Sequence, residues 1–198
     1  MRIVGGTYRG RPLVAPKGHS TRPTADRARQ AMFNVLEHAA WSPGVTGRRV
    51  IDLFAGSGAL GLESLSRGAA CCWFVDNDAT ARRAIETNLA ALKCEARGHL
   101  RPGDVRTLGA GPGKPFDLAF LDPPYGVGLA ETALERLAAG AWLAQDAVVV
   151  VERGAAEGDL VAPGYQRLDE RAWGAARVSF LTPSGARARL GVTLMDSV

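Results

Sequence analysis

Apolar runs and helical stripes alternate through the middle of the chain. Four apolar runs predict buried strands: Val50–Phe54, Cys71–Val75, Phe116–Leu121 and Ala147–Val151. Three segments between them carry apolar residues at helical spacing and predict helices: Ala59–Arg67, Ala79–Leu92 and Leu129–Ala139. Strands that alternate with helices are typical of a parallel, doubly wound sheet, so an α/β protein is predicted.

The two ends of the chain depart from this alternation. Near the start, Arg2–Val4 and Thr7–Arg9 flank two glycines and predict a hairpin, and a helix is predicted to begin near Thr24 and to end before Pro43. Towards the other end, three strand candidates follow one another without a helix and predict an antiparallel edge hairpin: Gln166–Arg171, Arg177–Thr182 and Leu190–Leu194. The predicted units are an N-terminal extension over 1–45, a body over 46–183 and a tail over 184–198 without an assigned role.

The composition limits the class of protein. With 198 residues, 46% hydrophobic and 22% charged, the chain suits one folded domain with a small appendage. No apolar run approaches the roughly 18–20 residues of a membrane span, and the first ten residues lack the apolar region of a signal peptide. The three cysteines, Cys71, Cys72 and Cys94, show no zinc spacing. Free thiols in a reducing cytoplasm, no metal site and no membrane partner are therefore predicted.

The net charge of +4 is unevenly distributed. Residues 1–30 contain seven basic side chains and one acid, a net charge of +6, whereas the rest of the chain carries −2. A basic segment on a nearly neutral body is typical of proteins that bind polyanions. A solvated arm without a partner is the alternative interpretation.

The first motif with chemical content is Asp52–Gly61, where a predicted strand turns into a helix. Its glycines allow a tight turn and a close approach of backbone to ligand, and the helix N-terminus offers free N–H groups. The spacing Gly56-x-Gly58-x-x-Gly61 fits a dinucleotide site, and Asp76 lies at the offset of a ribose-binding acid. The motif alone does not separate a nicotinamide enzyme from an S-adenosylmethionine enzyme.

Acidic side chains also stand at two predicted strand ends. Asp76 could accept both hydroxyl groups of a ribose, while Asp78 is better placed to cap the following helix. Asp104 would follow a third strand and could accept a hydrogen bond from an adenine amino group. An aspartate in a Pro-Gly turn is the alternative interpretation of Asp104.

The second motif, Asp122-Pro123-Pro124-Tyr125, directly follows a predicted strand. Two consecutive prolines fix the backbone and remove two donors, so the Asp122 carboxylate and the Pro123 carbonyl form a rigid pair of acceptors. Tyr125 could stack on a planar ring. Such a cluster suits a base with an exocyclic NH2 group, whose lone pair the acceptors would direct towards an incoming methyl group. A Pro-Pro turn with a surface tyrosine is the alternative.

These motifs resemble known families. The run Asp52-x-Phe54-x-Gly56-x-Gly58 followed by Asp-Pro-Pro-Tyr is similar to class I S-adenosylmethionine-dependent amino methyltransferases. The leading segment narrows the resemblance to the RsmD family, whose members methylate the exocyclic N2 of one guanine in 16S ribosomal RNA. The motifs that carry this narrower resemblance are Arg2-Ile-Val-Gly-Gly, Gly10-Arg11-x-Leu13, Arg22-Pro-Thr-x-Asp26-Arg27-x-Arg29 and Phe33-Asn34.

The resemblance implies a fold, a cofactor and partners. The fold would be a Rossmann-like class I methyltransferase: a mostly parallel, seven-stranded doubly wound sheet with an antiparallel C-terminal edge and a small N-terminal hairpin-and-helix extension. The cofactor would be S-adenosyl-L-methionine. The substrate would be 16S rRNA within the 30S subunit, where ribosomal proteins could share the interface with a monomeric cytoplasmic enzyme.

The same resemblance assigns roles by position. Cofactor binding falls on Asp52, Phe54, Gly56, Gly58, Asp76, Asn77, Asp104 and Val105. Catalysis falls on Asp122, Pro123, Pro124 and Tyr125, and RNA binding on Arg9, Arg11, Arg22 and Arg27.

One departure and three alternatives accompany these expectations. The family's late aromatic-Gly-x-Thr sequence is only half kept in Trp173-Gly174-Ala175-Ala176, which leaves the alignment of the last strands open. A DNA or RNA adenine-N6 methyltransferase would share the second motif, although a sequence-selective DNA enzyme needs a recognition domain for which the chain has no room. A nicotinamide oxidoreductase would leave that motif unexplained. A non-catalytic RNA-binding assembly factor would bind the 30S subunit without transferring methyl groups.

Overall fold

A computed structural model describes residues 1–16 and 23–185. The strands are β1 Arg49–Leu53, β2 Cys71–Asp76, β3 Gly98–Pro102, β4 Phe116–Leu121, β5 Leu143–Gly154, β6 Tyr165–Trp173 and β7 Ala176–Pro183. The helices are α1 Pro23–His38, α2 Ala59–Ser66, α3 Ala79–Leu92 and α4 Leu129–Ala139, with a 3-10 turn at Val105–Thr107.

The seven strands form one sheet in the order β3-β2-β1-β4-β5-β7-β6. Strands β1 to β5 are mutually parallel, and β7 runs antiparallel to both of its neighbours. This arrangement confirms the predicted α/β class, the doubly wound sheet and its antiparallel edge. The strand order reverses between β1 and β4, and ligands of such sheets bind outside the carboxyl ends of the strands at that point.

The core lies on both faces of the sheet because successive residues of a strand point to opposite sides. Val50 of β1 packs on the face covered by α1, α2 and α3, whereas Ile51 and Leu53 pack on the face covered by α4 and the 3-10 turn. All three side chains are fully buried. Burial on both faces explains why the parallel strands appear in the sequence as continuous apolar runs.

Most element bounds agree with the sequence pattern. The bounds of β4, α3 and α4 coincide with their predictions, and Asp78 caps α3 by accepting a hydrogen bond from Thr80 N. Strand β5 is longer than the predicted Ala147–Val151, because its polar ends continue the pairing with β4 and β7 beyond the apolar run. The candidate strand Leu190–Leu194 lies outside the described residues. The half-kept sequence after Trp173 forms the tight turn that joins β6 to β7.

The predicted N-terminal hairpin has a different register. Residues 1–4 pair with residues 10–13 through Ile3 N to Arg11 O at 3.0 Å and Leu13 N to Met1 O at 3.1 Å, with a bridge between Arg2 and Pro12. The prediction that Thr7–Arg9 forms the second strand is wrong. Thr7 N and Tyr8 N donate instead to the O and Oγ of Ser66, at 2.8 and 2.9 Å, so this stretch is a turn held by the end of α2.

A buried carboxylate fastens this N-terminal segment to α2. Glu63 is fully buried and accepts a hydrogen bond from Val4 N at 2.8 Å through one oxygen and from Arg67 Nε at 2.8 Å through the other. Arg29 Nε of α1 lies 3.7 Å from the same group. The two guanidinium groups, themselves nearly buried, compensate the charge that burial would otherwise make costly.

Asn88 of α3 holds the end of the same segment. Its buried side chain accepts from Val14 N at 2.8 Å and donates to Val14 O at 2.9 Å. It also donates to Ser57 O at 2.9 Å, in the turn that follows β1. The N-terminal segment is therefore joined to the sheet's glycine turn through one amide, and Ile3 and Leu13 lie in the core shared with α1 to α3. The division at residue 45 stays a prediction.

Three further expectations concern features of the whole chain. No helix over residues 1–16 and 23–185 is long and apolar enough to span a membrane. Within those same ranges, no group of three or more histidine, cysteine or acidic side chains could hold a metal ion. Cys71, Cys72 and Cys94 are free thiols.

Candidate active site

A cavity of about 1120 Å³ opens at the carboxyl ends of the parallel strands. It lies where the strand order reverses, and it is bordered by the ends of β1, β2, β4 and β5. Its volume slightly exceeds the range of about 300–1,000 Å³ that is usual for small-molecule sites. The N-terminal segment and α1 contribute one wall, through Met1, Pro16, Asp26, Arg29 and Met32.

The glycine turn after β1 is tied to the end of β2 by one carboxylate. Asp76 accepts from Gly56 N through Oδ2 and from Asp78 N through Oδ1, both at 2.8 Å. Gly56 has φ +56°, in the left-handed region that favours glycine, and a Cβ there would lie 3.9 Å from Phe54 O. Phe54, with φ +61°, also lines the cavity in a conformation that is rare for a bulky residue. Each Asp76 oxygen keeps a lone pair with which to accept from a ligand.

Backbone conformation and packing explain the other two glycines of the motif, Gly58 and Gly61. Gly58, which the resemblance assigns to the cofactor, does not line the cavity; a Cβ on it would lie 3.2 Å from side-chain atoms of both Phe74 and Ile85. Gly61 N donates to the buried Asp52 Oδ2 at 2.9 Å, and a Cβ on Gly61 would collide with Phe74 at 2.3 Å. Gly58 adopts φ +77°, in the left-handed region that favours glycine, whereas Gly61 is small because α2 approaches β2 closely.

Asp52 forms the floor of the cavity between β1 and α2. It is nearly inaccessible, and this burial raises the pKa of its carboxyl well above the ordinary value, although the hydrogen bond from Gly61 opposes that shift. The negative charges of Asp122 and Asp76 raise the pKa further. Three acidic groups thus converge on one cavity.

Asp104 lies at the cavity wall beyond β3, and its carboxylate is already engaged. It accepts from Arg106 N at 2.9 Å, pairs with the Arg106 guanidinium, and lies 3.4 Å from Asn77 Nδ2. The Arg106 hydrogen bonds hold the pKa of Asp104 well below its usual range. Most of these hydrogen bonds are the ones expected of an aspartate that stabilises a turn. Asn77, Asp104 and Val105 nevertheless all line the cavity.

The double-proline loop faces the glycine turn across the same cavity. Asp122 follows the last residue of β4, and Pro123, Pro124 and Tyr125 line the cavity with it. The Tyr125 ring is half exposed, and its hydroxyl donates to Glu152 Oε1 at 3.1 Å. An exposed aromatic ring beside fixed acceptors can stack on a planar group.

Asp122 and Glu152 form an acidic pair. Leu121 of β4 pairs with Val151 of β5, so Asp122 and Glu152 follow one step later on adjacent strands. Protein atoms surround the Asp122 carboxyl closely, although it stays open to the cavity; this desolvation, and then the charge of Glu152, raise the pKa of Asp122. Burial likewise raises the pKa of Glu152. Two acids in this setting favour ligands that bring hydrogen-bond donors.

Glu152 and Arg106 are site residues that the sequence prediction missed. Glu152 follows the apolar run Ala147–Val151 in the same way that Asp122 follows Phe116–Leu121, so the position at the strand's end was the available signal. No comparable sequence signal marks Arg106, because its contact with Asp104 depends on the conformation of the turn.

The predicted RNA-binding arginines separate into three groups. Arg9 and Arg27 are exposed and line a second groove of about 450 Å³. Arg11 is exposed and its Nη2 donates to Ala91 O at 2.9 Å, on α3. Arg22 lies outside the described residues. Arg29 belongs to the basic segment, yet it is buried in ion pairs, so less positive charge faces outwards than the sequence count suggests.

Comparison with known proteins extends these findings. The chain matches, over residues 1–182, the family described as Conserved hypothetical protein 95. It is 38% identical over 152 residues to the ribosomal RNA small subunit methyltransferase D of Escherichia coli K12, covering 77% of this chain and 74% of that protein. It is 37% identical over 155 residues to the protein of the same name from Haemophilus influenzae, covering 77% and 78%.

A solved structure from Escherichia coli, provisionally assigned as the methyltransferase yhhF, superimposes with a TM-score of 0.81 at 32% identity, covering 92% of this chain and 97% of that one. Together with the reversal of strand order and the antiparallel edge, this likeness defines a Rossmann-like class I methyltransferase fold. The chain belongs to the RsmD family, as its motifs indicate.

Proposed function

We propose that this protein is an S-adenosylmethionine-dependent methyltransferase that modifies the exocyclic N2 of a guanine in 16S rRNA of the small ribosomal subunit. The observation that carries the proposal is the placement of the glycine turn and the double-proline loop on one cavity at one edge of the sheet. The names of the relatives support an rRNA substrate. The free thiols suit a cytoplasmic enzyme.

The residues on one side of the cavity fit the cofactor. Asp76 keeps lone pairs with which to accept from the hydroxyl groups of a ribose, and Asp104 lies at the wall where the adenine would bind. A Cβ on Gly56 would come no closer than 3.9 Å to another group, so a ligand can approach the backbone there. Phe54, Asn77 and Val105 complete that side. The buried carboxyl of Asp52 suits the amino-acid end. When bound, S-adenosylmethionine supplies an electrophilic methyl group on a sulfonium.

The residues on the other side fit the target base. Tyr125 stacks on the purine, while Asp122 and the Pro123 carbonyl accept hydrogen bonds from the amine. An aryl amine is a weak nucleophile because its lone pair is delocalised into the ring. Two fixed acceptors favour pyramidal nitrogen, disperse the positive charge that develops there, and leave Asp122 to take up the proton that N2 releases.

The exposed arginines of the N-terminal extension would bind the phosphates of the RNA. Arg9 and Arg27 share one groove, so the double change Arg9→Gln/Arg27→Gln should weaken binding to 16S rRNA and reduce the salt slope of log K by about 0.7 per lost phosphate contact. Arg136→Gln is the matched control, because this exposed arginine lies on α4, on the other face of the sheet. An unchanged slope in the double variant would remove this groove from the RNA interface.

The decisive experiment measures transfer of labelled methyl from S-adenosylmethionine to undermethylated 30S particles and to naked 16S rRNA. Digestion of the product to nucleosides is expected to yield N2-methylguanosine. N6-methyladenosine would favour the adenine alternative, and binding to 30S particles without transfer would favour a non-catalytic assembly factor. A monomer and a contribution from ribosomal proteins stay predictions, which mass photometry and the comparison of the two substrates will test.

A further inference from the structure

We propose that Glu152 selects guanine over other purines by accepting a hydrogen bond from guanine N1–H, beside the amine held by Asp122. The inference rests on the proposed function, since it concerns the base whose N2 is methylated. It assigns a specificity role to a residue outside both sequence motifs.

The position of Glu152 is fixed by the sheet. It stands one residue beyond the pairing of Val151 with Leu121, on the strand adjacent to the one that Asp122 follows. Neighbouring strands lie about 4.8 Å apart, so side chains that extend from these two positions can reach neighbouring groups of one bound base. Both acids line the same cavity.

The hydrogen bonding of Glu152 leaves it able to accept from a ligand. Tyr125 donates to Oε1 at 3.1 Å, and Oε2 receives no hydrogen bond from the residues that the structure describes. The tyrosine hydroxyl also keeps the carboxylate turned towards the double-proline loop, where the base would stack. The side chain is therefore positioned and still has unused acceptor capacity.

Two adjacent acceptors match only one arrangement of donors. Guanine presents N1–H and the N2 amine side by side, whereas adenine presents its amine beside N1, which is an acceptor. Adenine would therefore set a lone pair against the Glu152 carboxylate. A site built to accept a hydrogen bond discriminates strongly against a ligand that lacks the donor, because the buried group is then left without a partner.

The test uses 16S rRNA in which 2-aminopurine replaces the target guanine, in assembled 30S particles. This base keeps the 2-amine but lacks N1–H and the 6-carbonyl oxygen. Of these two losses, the loss of N1–H bears on the contact with Glu152. The ratio of kcat/KM for guanine to that for 2-aminopurine is measured for wild type and for Glu152→Gln. The amide of Gln can donate to N1 of 2-aminopurine, so the ratio is expected to fall about 10- to 100-fold. The intrinsic reactivity of each base cancels when the ratios of two variants are compared.

Three further variants make the result specific. Glu152→Ala removes the acceptor without adding a donor, and its ratio should fall between those of wild type and Glu152→Gln. Tyr125→Phe keeps the stacking ring but removes the hydroxyl that orients Glu152, so its ratio should fall by less than that of Glu152→Gln. A fall as large as that of Glu152→Gln would show that the discrimination comes from the tyrosine hydroxyl and would refute the role of the Glu152 acceptor. Glu157→Gln is the matched control, because this nearby carboxylate bonds Gly154 N and does not line the cavity.

The outcomes separate this inference from the proposed function. If wild type forms N2-methylguanosine and Glu152→Gln keeps the wild-type ratio, the role of Glu152 is refuted and the proposed function stands. If wild type methylates no guanine at N2, the proposed function itself fails. Cofactor affinity, measured by calorimetry for every variant, shows that the folded site is retained.

Discussion

Replacing Asp122 with alanine is expected to lower kcat for methyl transfer by at least about 10²- to 10³-fold, with little change in affinity for S-adenosylmethionine. The magnitude is that of removing one preorganised group that stabilises charge developing in a transition state. Asp122 lies at the end of β4, on the side of the cavity opposite Asp76 and Asp104, so the cofactor side remains complete. Single-turnover kinetics with undermethylated 30S particles measure the loss, and calorimetry measures the affinity.

The control for Asp122→Ala is Asp159→Ala. Asp159 is highly exposed, does not line the cavity and forms a 3.5 Å ion pair with Arg177, so its removal should leave both measurements unchanged. Turnover of Asp122→Ala at the wild-type rate would exclude Asp122 from the chemistry, whatever its position.

Replacing Glu63 with alanine is expected to cost about 3–5 kcal/mol of unfolding free energy, the usual effect of breaking a buried ion pair by removing one partner. The loss leaves Arg67 and Arg29 without their buried counter-charge and Val4 N without its acceptor. For a chain of this length, each kcal/mol corresponds to about 2–4 °C in Tm. Calorimetric unfolding should therefore show a fall in Tm of roughly 10 °C.

The matched control for Glu63→Ala is Glu37→Ala. Glu37 also pairs with Arg67, at 2.9 Å, but its side chain is 32% exposed, so its removal should cost no more than about 1 kcal/mol. Equal, small losses in the two variants would show that the Glu63 network does not stabilise the docked N-terminal segment.

The sheet and its edge could be predicted because their signals are local. Apolar runs identify parallel strands buried on both faces, and helical stripes between them imply right-handed crossovers. Once the strands are parallel, residues at their carboxyl ends must share one edge. For that reason the sequence alone predicts that Asp76 and Asp122, 46 residues apart, lie at the same edge of the sheet.

Other features depend on contacts between distant parts of the chain. The register of the N-terminal hairpin differs from the prediction because the end of α2 supplies acceptors to Thr7 and Tyr8. No local sequence pattern indicates these long-range hydrogen bonds. The assignment of Gly58 to the cofactor, which the resemblance implies, stays a prediction, while the left-handed φ of +77° and the contacts that a Cβ would make explain why the residue is glycine. Glu152 was missed because the apolar run of β5 ended one residue earlier.

Asp76 holds two turns, the glycine turn through Oδ2 and the turn before α3 through Oδ1, and this has a consequence for mutagenesis. A substitution meant to abolish only a contact with the ribose also frees the amides of Gly56 and Asp78, so loop shape and ligand affinity change together. Even the isosteric amide would turn an N–H group towards a backbone N–H. We therefore expect Asp76 to tolerate almost no replacement in a library screened for activity. The same side chain would both hold the loop in its shape and bind the ligand.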